Sequence, residues 1–413
     1  MRSPSSSLLA SIPTSFLRPL PVHRLAWQPC RERRFASASS PSSPPNASSI
    51  PVLPFRFETG IALFAKRPPR PFPPPFLSPP SASFSDPLST HHRSRDRRAF
   101  VNGQLIRGQT NGDDAVYASD YFICANDGVG AWATRPRGHA GLWSRLVLHF
   151  WSTAIEEEVA RYLSAEHPCE PDPIASLQTA FELTLKATEA HDCLGTTTTC
   201  GAQLHFKINP DDESRQNPSP LLYVTNLGDC KILVLRPKNK EVIYRTVEQW
   251  HWFDCPRQLG TNSPDTPNDN GVLDTVDLEV GDIVLAMSDG VSDNLWEHEI
   301  VTSVLTSVKE WESGQDAGAV EDRTGGRNGG MDAAARDLVA AAKKIAQDPF
   351  AESPFMEHAI EEGLASEGGS NDDGEPWGGG ARRVGWALSH VPTVQIRNLF
   401  YDANVLRLDL DDA

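Results

Sequence analysis

Apolar residues along the chain follow two rhythms. In "GLWSRLVLHFWSTAIEEEVARYL" (Gly141 to Leu163), Leu142, Leu146, Phe150 and Ala154 recur every fourth position, with Trp143, Val147 and Trp151 beside them. That spacing predicts an amphipathic helix with a wide apolar face. "IASLQTAFELTLKATEA", "NLWEHEIVTSVLTSVKEW" and "MDAAARDLVAAAKKIAQD" predict three more helices. Shorter apolar runs predict buried strands: "YFICAN", "TTTTCGAQLHFKI", "LLYVTNLG", "CKILVLRP" and "DIVLAMS". "FRFETGIALFAK" (Phe55 to Lys66) reads as a first strand, and "NLGD" (Asn226 to Asp229) as a hairpin turn between its flanking strands. Consecutive strands without alternating helices point to an α+β fold, with antiparallel sheets and helices packed outside them. No glycine-rich phosphate loop with its lysine occurs, which disfavours nucleotide-driven chemistry.

The ends and two internal stretches lack this patterning. Residues 1–50 are rich in Ser, Pro and Arg, with Glu32 the only acid. That composition suits an organelle-targeting leader. "RRFASAS" (Arg33 to Ser39) resembles a matrix-protease site, which favours the mitochondrial matrix over the alternatives of plastid or cytoplasm. Residues 68–98 read as a proline-rich, then basic, disordered insertion, and 312–330 as a flexible one. The expected division is a leader at 1–50, a domain at 51–373 and an atypical tail at 374–413.

Charge sharpens this division. Residues 1–100 hold 14 Lys/Arg against 4 Asp/Glu, whereas the whole chain carries −16. A basic leader on an acidic body argues against nucleic acid as the main partner. The seven cysteines form no CxxC pair, so a reducing compartment fits and a zinc site does not. No apolar run reaches the length of a membrane-spanning helix.

Acids recur at the ends of the apolar runs. "FICANDGVGAW" (Phe122 to Trp132) breaks at Asp127-Gly128, and "DIVLAMSDGVSDN" (Asp282 to Asn294) breaks at Asp289-Gly290. Asp113 and Asp114, Asp229, Asp293, and Asp372 with Asp373 stand in similar places. Any one of them is a common turn residue. Brought together, they would repel unless cations neutralised them, and hard oxygen donors select Mg²⁺ or Mn²⁺. Glycine after aspartate lets backbone carbonyls approach an ion.

The ordered series "GDDAVY", "ANDGVGAW", "GTTTTCGAQL", "VTNLGDCKILVLR", "PRQLG", "MSDGVSDNLWEHEI" and "GGSNDD" resembles the metal-dependent serine/threonine phosphatases of the protein phosphatase 2C (PPM) type. It is most like their mitochondrial and chloroplast branch, related to T-cell activation protein phosphatase 2C. The resemblance implies a four-layer α-β-β-α sandwich of two antiparallel sheets with the metals at one edge. It implies that Asp127 bridges two ions and Gly128 offers its carbonyl. Asp289 and Asp372 would ligate one ion, and Asp114, with Asp113, would act on metal-bound waters. Asp229 and Asp293 fit a looser third position. A hydroxide activated by the two ions would hydrolyse phosphoserine or phosphothreonine in phosphoprotein substrates, and a monomer is expected.

Three departures from the family pattern stand out. Val129 occupies the place where many members have a histidine, leaving His139, by default a surface residue, as the nearest imidazole. Gln109 stands where a phosphate-gripping arginine is usual, with Arg107 the nearest substitute. Finally, "SNDD" runs into "GEPWGGGARR", which is neither strand nor helix, where the family continues into a strand. The tail is read as a retained intron or an authentic divergent end, with "VPTVQIRNLFYDANVLRLDL" able to supply a late strand. A missing strand would leave the alternative of a weak or inactive phosphatase-like binding protein.

Overall fold

Successive strand residues face opposite ways, so a strand apolar at every position must lie between two packed layers. A computed structural model describes residues 53–65, 70–77, 98–164, 170–208, 218–253, 255–314, 330–348, 350–363 and, as backbone, 393–401. The main elements are β1 (Phe55–Leu63), β2 (Ala115–Ala118), β3 (Phe122–Gly128), α1 (Ala140–Ser164), α2 (Pro173–Glu189), β4 (Thr196–Ile208) and β5 (Pro218–Leu227). They continue with β6 (Lys231–Arg236), β7 (Glu241–Arg245), β8 (Val272–Asp277), β9 (Ile283–Met287), α3 (Glu297–Ser313), α4 (Met331–Ala346), α5 (Pro354–Glu361) and β10 (Thr393–Tyr401).

One sheet runs β8-β5-β4-β3-β2 and ends on the short strand Gln109–Thr110, with Leu259–Gly260 also paired to β4. The other runs β1-β10-β9-β6-β7. Every pairing within them is antiparallel. The period-two alternation feeds three cores. Phe122 and Cys124 of β3 face Trp143, Leu146 and Trp151 of α1. Ile123 and Ala125, one residue out of phase, face Ile232 and Val234 of β6 and Val284 and Ala286 of β9. Leu233, Leu285 and Met287 face the opposite way, onto Val304 of α3 and Leu338 of α4. The layers are therefore helix, sheet, sheet, helix, an α+β sandwich as the motifs implied.

Four expectations change. "NLGD" is not a hairpin: β5 belongs to one sheet and β6 to the other, so the turn crosses between layers. Gly228 makes that crossing at φ +107, and a Cβ there would stand 2.6 Å from both the Arg257 carbonyl and Thr198 Cβ. Within 68–98, Phe76 is buried in the first core and its carbonyl accepts from Phe100 N–H, because an aromatic among prolines still gains by burial. The expected insertion at 312–330 begins later, since α3 reaches Ser313 and closes on Gly314; residues 315–329 lie outside the described part. The sheet has its late strand: β10 pairs with β1 on one side and β9 on the other. The leader at 1–50 and "SNDDGEPWGGGARR" lie outside the described residues.

Candidate metal centre

β3 carries Asn126-Asp127-Gly128 to the end of its sheet, in register with Thr199, Thr198 and Thr197 of β4. The strand end is held on both sides. Thr197 Oγ1 donates to the Asp127 carbonyl at 2.7 Å and Thr199 Oγ1 to Asn126 Oδ1 at 2.6 Å, while Asn126 Nδ2 donates to the Ser144 carbonyl at 2.9 Å. The loop bearing Asp113 and Asp114 closes over this end. Ser144 Oγ of α1 donates to the Asp113 carbonyl at 2.6 Å. A Cβ on Gly128 would lie 2.2 Å from that same carbonyl oxygen, so glycine is what lets the two backbones meet.

The other sheet delivers its acids from the facing side. β9 leads through Ser288 into one helical turn, Asp289–Ser292, and Asp293 N–H donates to the Asp289 carbonyl at 2.7 Å. The crossing turn at Gly228 brings Asp229 to the head of β6. Asp114, Asp229 and Asp289 are 5%, 4% and 6% exposed, so these charges are nearly out of water.

The electrostatics join the acids into one group. Burial, then the charges of Asp293, Asp229 and Asp114, push the Asp289 carboxyl well above the usual carboxylate range, against a hydrogen bond with Asp127 that pulls it down. The buried Cys230 thiol is driven up by burial first, then by Cys200 and the charges of Asp127 and Asp229. Such a set of carboxylates, with backbone carbonyls close by, suits a hard divalent cation. The cluster is open: among the described residues, no three His, Cys, Asp or Glu side chains already converge tightly enough to hold an ion. Asp372, with Asp373, lies outside the described residues. Asp113 is half-buried on the same loop and acts on His139.

Two sequence-based expectations end elsewhere. The Arg107 guanidinium pairs with Glu156 of α1. Glu156 lies twelve residues beyond Ser144, or about 18 Å along a helix, so the guanidinium points along α1 while the Arg107 carbonyl accepts from Arg145 Nε at 3.0 Å. His139 is buried at 8% exposure rather than at the surface. Its Nδ1 accepts from Leu142 N–H at 3.1 Å, capping the first turn of α1, so Nε2 carries the proton that meets the Pro71 carbonyl at 3.2 Å. Burial lowers its pKa and keeps it neutral.

One organising residue went unread in the sequence. Asp265 is 2% exposed and accepts from Gln258 N–H at 3.0 Å, with His251 at 2.8 Å and Arg257 at 3.2 Å. Burial alone would raise its pKa, but these partners outweigh it and hold the carboxyl below its usual value. Arg257 N–H donates to the Gln249 carbonyl, and Gln249 bonds Gly228 through both backbone and side chain. Asp265 thereby fixes the loop against which the Asp229 turn rests. The nearby "PRQLG" was the available signal.

No family model matches the chain. Curated relatives do. "Probable protein phosphatase 2C 80" of Arabidopsis thaliana is 31% identical over 203 residues, covering 48% of this chain and 42% of that protein. "Probable protein phosphatase 2C 1" of Oryza sativa subsp. japonica is 28% identical, covering 49% and 52%. "Protein phosphatase PTC7 homolog" of Homo sapiens is 28% identical over 215 residues, covering 49% and 62%. The chain spans about half the length of the curated relatives it matches. Among solved structures, that of the photosystem II phosphatase PBCP is 25% identical, covering 70% of this chain and 91% of that one, at a TM-score of 0.47. The sequence matches and the ordered motifs agree: over about half its length this chain is similar to phosphatases of the PPM, or protein phosphatase 2C, type.

Proposed function

We propose that the protein is a divalent-metal-dependent phosphatase acting on phosphoserine and phosphothreonine in proteins. The observation that carries this reading is the meeting of nearly buried acids from both sheets: Asp114, Asp229 and Asp289 are each 6% exposed or less, and burial followed by the charges of Asp293, Asp229 and Asp114 pushes the Asp289 carboxyl upward. Asp127 is the proposed bridge between two ions, with the Gly128 carbonyl beside it, and Asp289 and Asp372 are proposed ligands of one of them. Asp229 and Asp293 are proposed for a looser third position. Mg²⁺ or Mn²⁺ bound there would supply Lewis acidity and a water of lowered pKa for in-line attack on a phosphoryl group.

The chain's own residues have distinct tasks. Asp114, nearly buried and acting on Asp289, is the proposed proton acceptor, supported by Asp113. Ser144 and Gly128 hold that loop at its working distance. Neutral His139, occupied at both ring nitrogens, is a positioning residue for α1. A phosphate-binding role for Arg107 is not favoured, because Glu156 occupies it. The binding-protein alternative rested on a missing strand, and β10 speaks against that premise.

The proposed organisation is a leader at 1–50 and a domain that begins near residue 51 and extends to β10. The leader's composition supports a mitochondrial destination. A fluorescent reporter fused to residues 1–50 is expected in mitochondria; diffuse cytosolic signal counts against targeting. Among the described residues no helix is long and apolar enough to cross a membrane. Phosphoproteins are the proposed partners, nucleic acid is not, and a monomer is expected. The activity test is p-nitrophenyl phosphate hydrolysis with Mn²⁺. Turnover that disappears on chelation and in Asp127→Asn is expected; no turnover by folded, Mn²⁺-supplied protein overturns the reading.

A further inference from the structure

Beside Asp293 a cleft of about 380 Å³ opens between the loop after β7, the segment after β9 and helix α5. Its walls are aromatic: Trp250, Phe253, Trp296 and Phe355 all line it. The rings of Phe253 and Phe355 are 6.1 Å apart at 38°, so they present adjoining faces rather than a sealed stack. The cleft is also acidic. Its one lysine, Lys231, is 2.7 Å from Glu248 and is neutralised by it. Glu357 and Glu361 of α5 stand as carboxylates on the same walls, with His358 between them packed edge-on against Phe253, and with Asp293 at the side toward the acids. Even with Asp293 engaged by cations, the two glutamates of α5 face the opening. Trp296 Nε1 donates to Glu357 Oε2 at 3.2 Å and orients that carboxylate beside the indole.

Aromatic faces next to the Glu357 and Glu361 carboxylates form a receptor for a cation with a flat, weakly hydrated head. The cleft adjoins the carboxylate cluster, because Asp293 follows Asp289 by about one helical turn, roughly 6 Å. An extended peptide advances about 3.3 Å per residue. We propose that this cleft binds a basic side chain, arginine foremost, of the phosphoprotein substrate, lying about two to four residues from the phosphorylated one. The inference rests on the phosphatase reading and adds a substrate class to it: phosphoserine or phosphothreonine in a basic sequence context. The charge excess on the cleft argues against an acidic or purely apolar flank.

The test uses the full chain with Mn²⁺ and paired phosphothreonine peptides carrying arginine or citrulline two to four residues from the phosphate. The arginine peptide is expected to have about tenfold higher kcat/KM, the size of one partly exposed ion pair with a cation–π contact. In the Glu357→Gln/Glu361→Gln double variant that preference falls to within about twofold, while p-nitrophenyl phosphate turnover stays at the wild-type rate. Equal rates on both peptides, or a preference that survives the double variant, overturn the proposal and leave the phosphatase reading standing. Absence of p-nitrophenyl phosphate turnover in the wild type overturns both.

Discussion

Replacing Gly128 by alanine tests how tightly the acid-bearing loop is held. The added Cβ would stand 2.2 Å from the Asp113 carbonyl oxygen, against an ordinary separation of roughly 3.5 Å, so one backbone must retreat by about 1 Å. Neither can retreat freely. The Asp113 carbonyl is fixed by Ser144 Oγ at 2.6 Å, and the Ala140 backbone, at 3.0 Å, blocks the other side of the same Cβ. Overpacking of this kind costs about 1–3 kcal/mol. The same displacement moves Asp114 and the Gly128 carbonyl relative to Asp289, and a 1 Å misplacement can cost about a hundredfold in rate. Urea denaturation reads the first effect and Mn²⁺-dependent p-nitrophenyl phosphate turnover the second. Gly128→Ala is expected to lower the midpoint and cut kcat/KM by roughly two orders of magnitude. A variant with wild-type midpoint and turnover would refute the close-approach argument.

Other perturbations separate structural from chemical roles. Asp289→Asn removes a charge that burial disfavours, so chelator-treated variant should be about 1–2 kcal/mol more stable than chelator-treated wild type, while turnover is lost; a less stable variant in urea denaturation contradicts the account of repulsion. Ser144→Ala should cost about 1–3 kcal/mol by depriving the Asp113 carbonyl of its hydroxyl donor, with unchanged denaturation as the refuting result. His149 is held neutral by burial, with Arg107 and Arg145 nearby, and its pKa is lowered to about 4. Stability should therefore fall as pH drops from about 6.5 toward 4, by roughly 3 kcal/mol, and His149→Gln should flatten that part of the profile; an identical pH profile in the variant counts against it.

What could be read from the sequence follows from where information is local. β4 is legible from Thr196 to Ile208 because four β-branched threonines lead into a stretch that alternates only from Cys200 onward, and Asp127 and Asp289 are legible because an apolar run ends abruptly at each. Period-two patterning does not say which sheet a strand joins, so the Gly228 crossing looked like a hairpin. β10 was legible as apolar text but not as a partner, since β1 and β9 lie far from it in the chain. His139 and Asp265 escaped for a related reason: their importance comes from buried backbone partners that only the folded chain brings to them.

The central claim is that the acids around Asp127 and Asp289 form a divalent-cation site. Calorimetric titration of the chelator-treated full chain with Mn²⁺ tests it most directly. The account predicts binding of at least two ions to the wild type, with that binding lost or greatly weakened in Asp127→Asn and in Asp289→Asn. Folded wild-type protein that takes up no Mn²⁺, or variants that bind it as the wild type does, would contradict the claim.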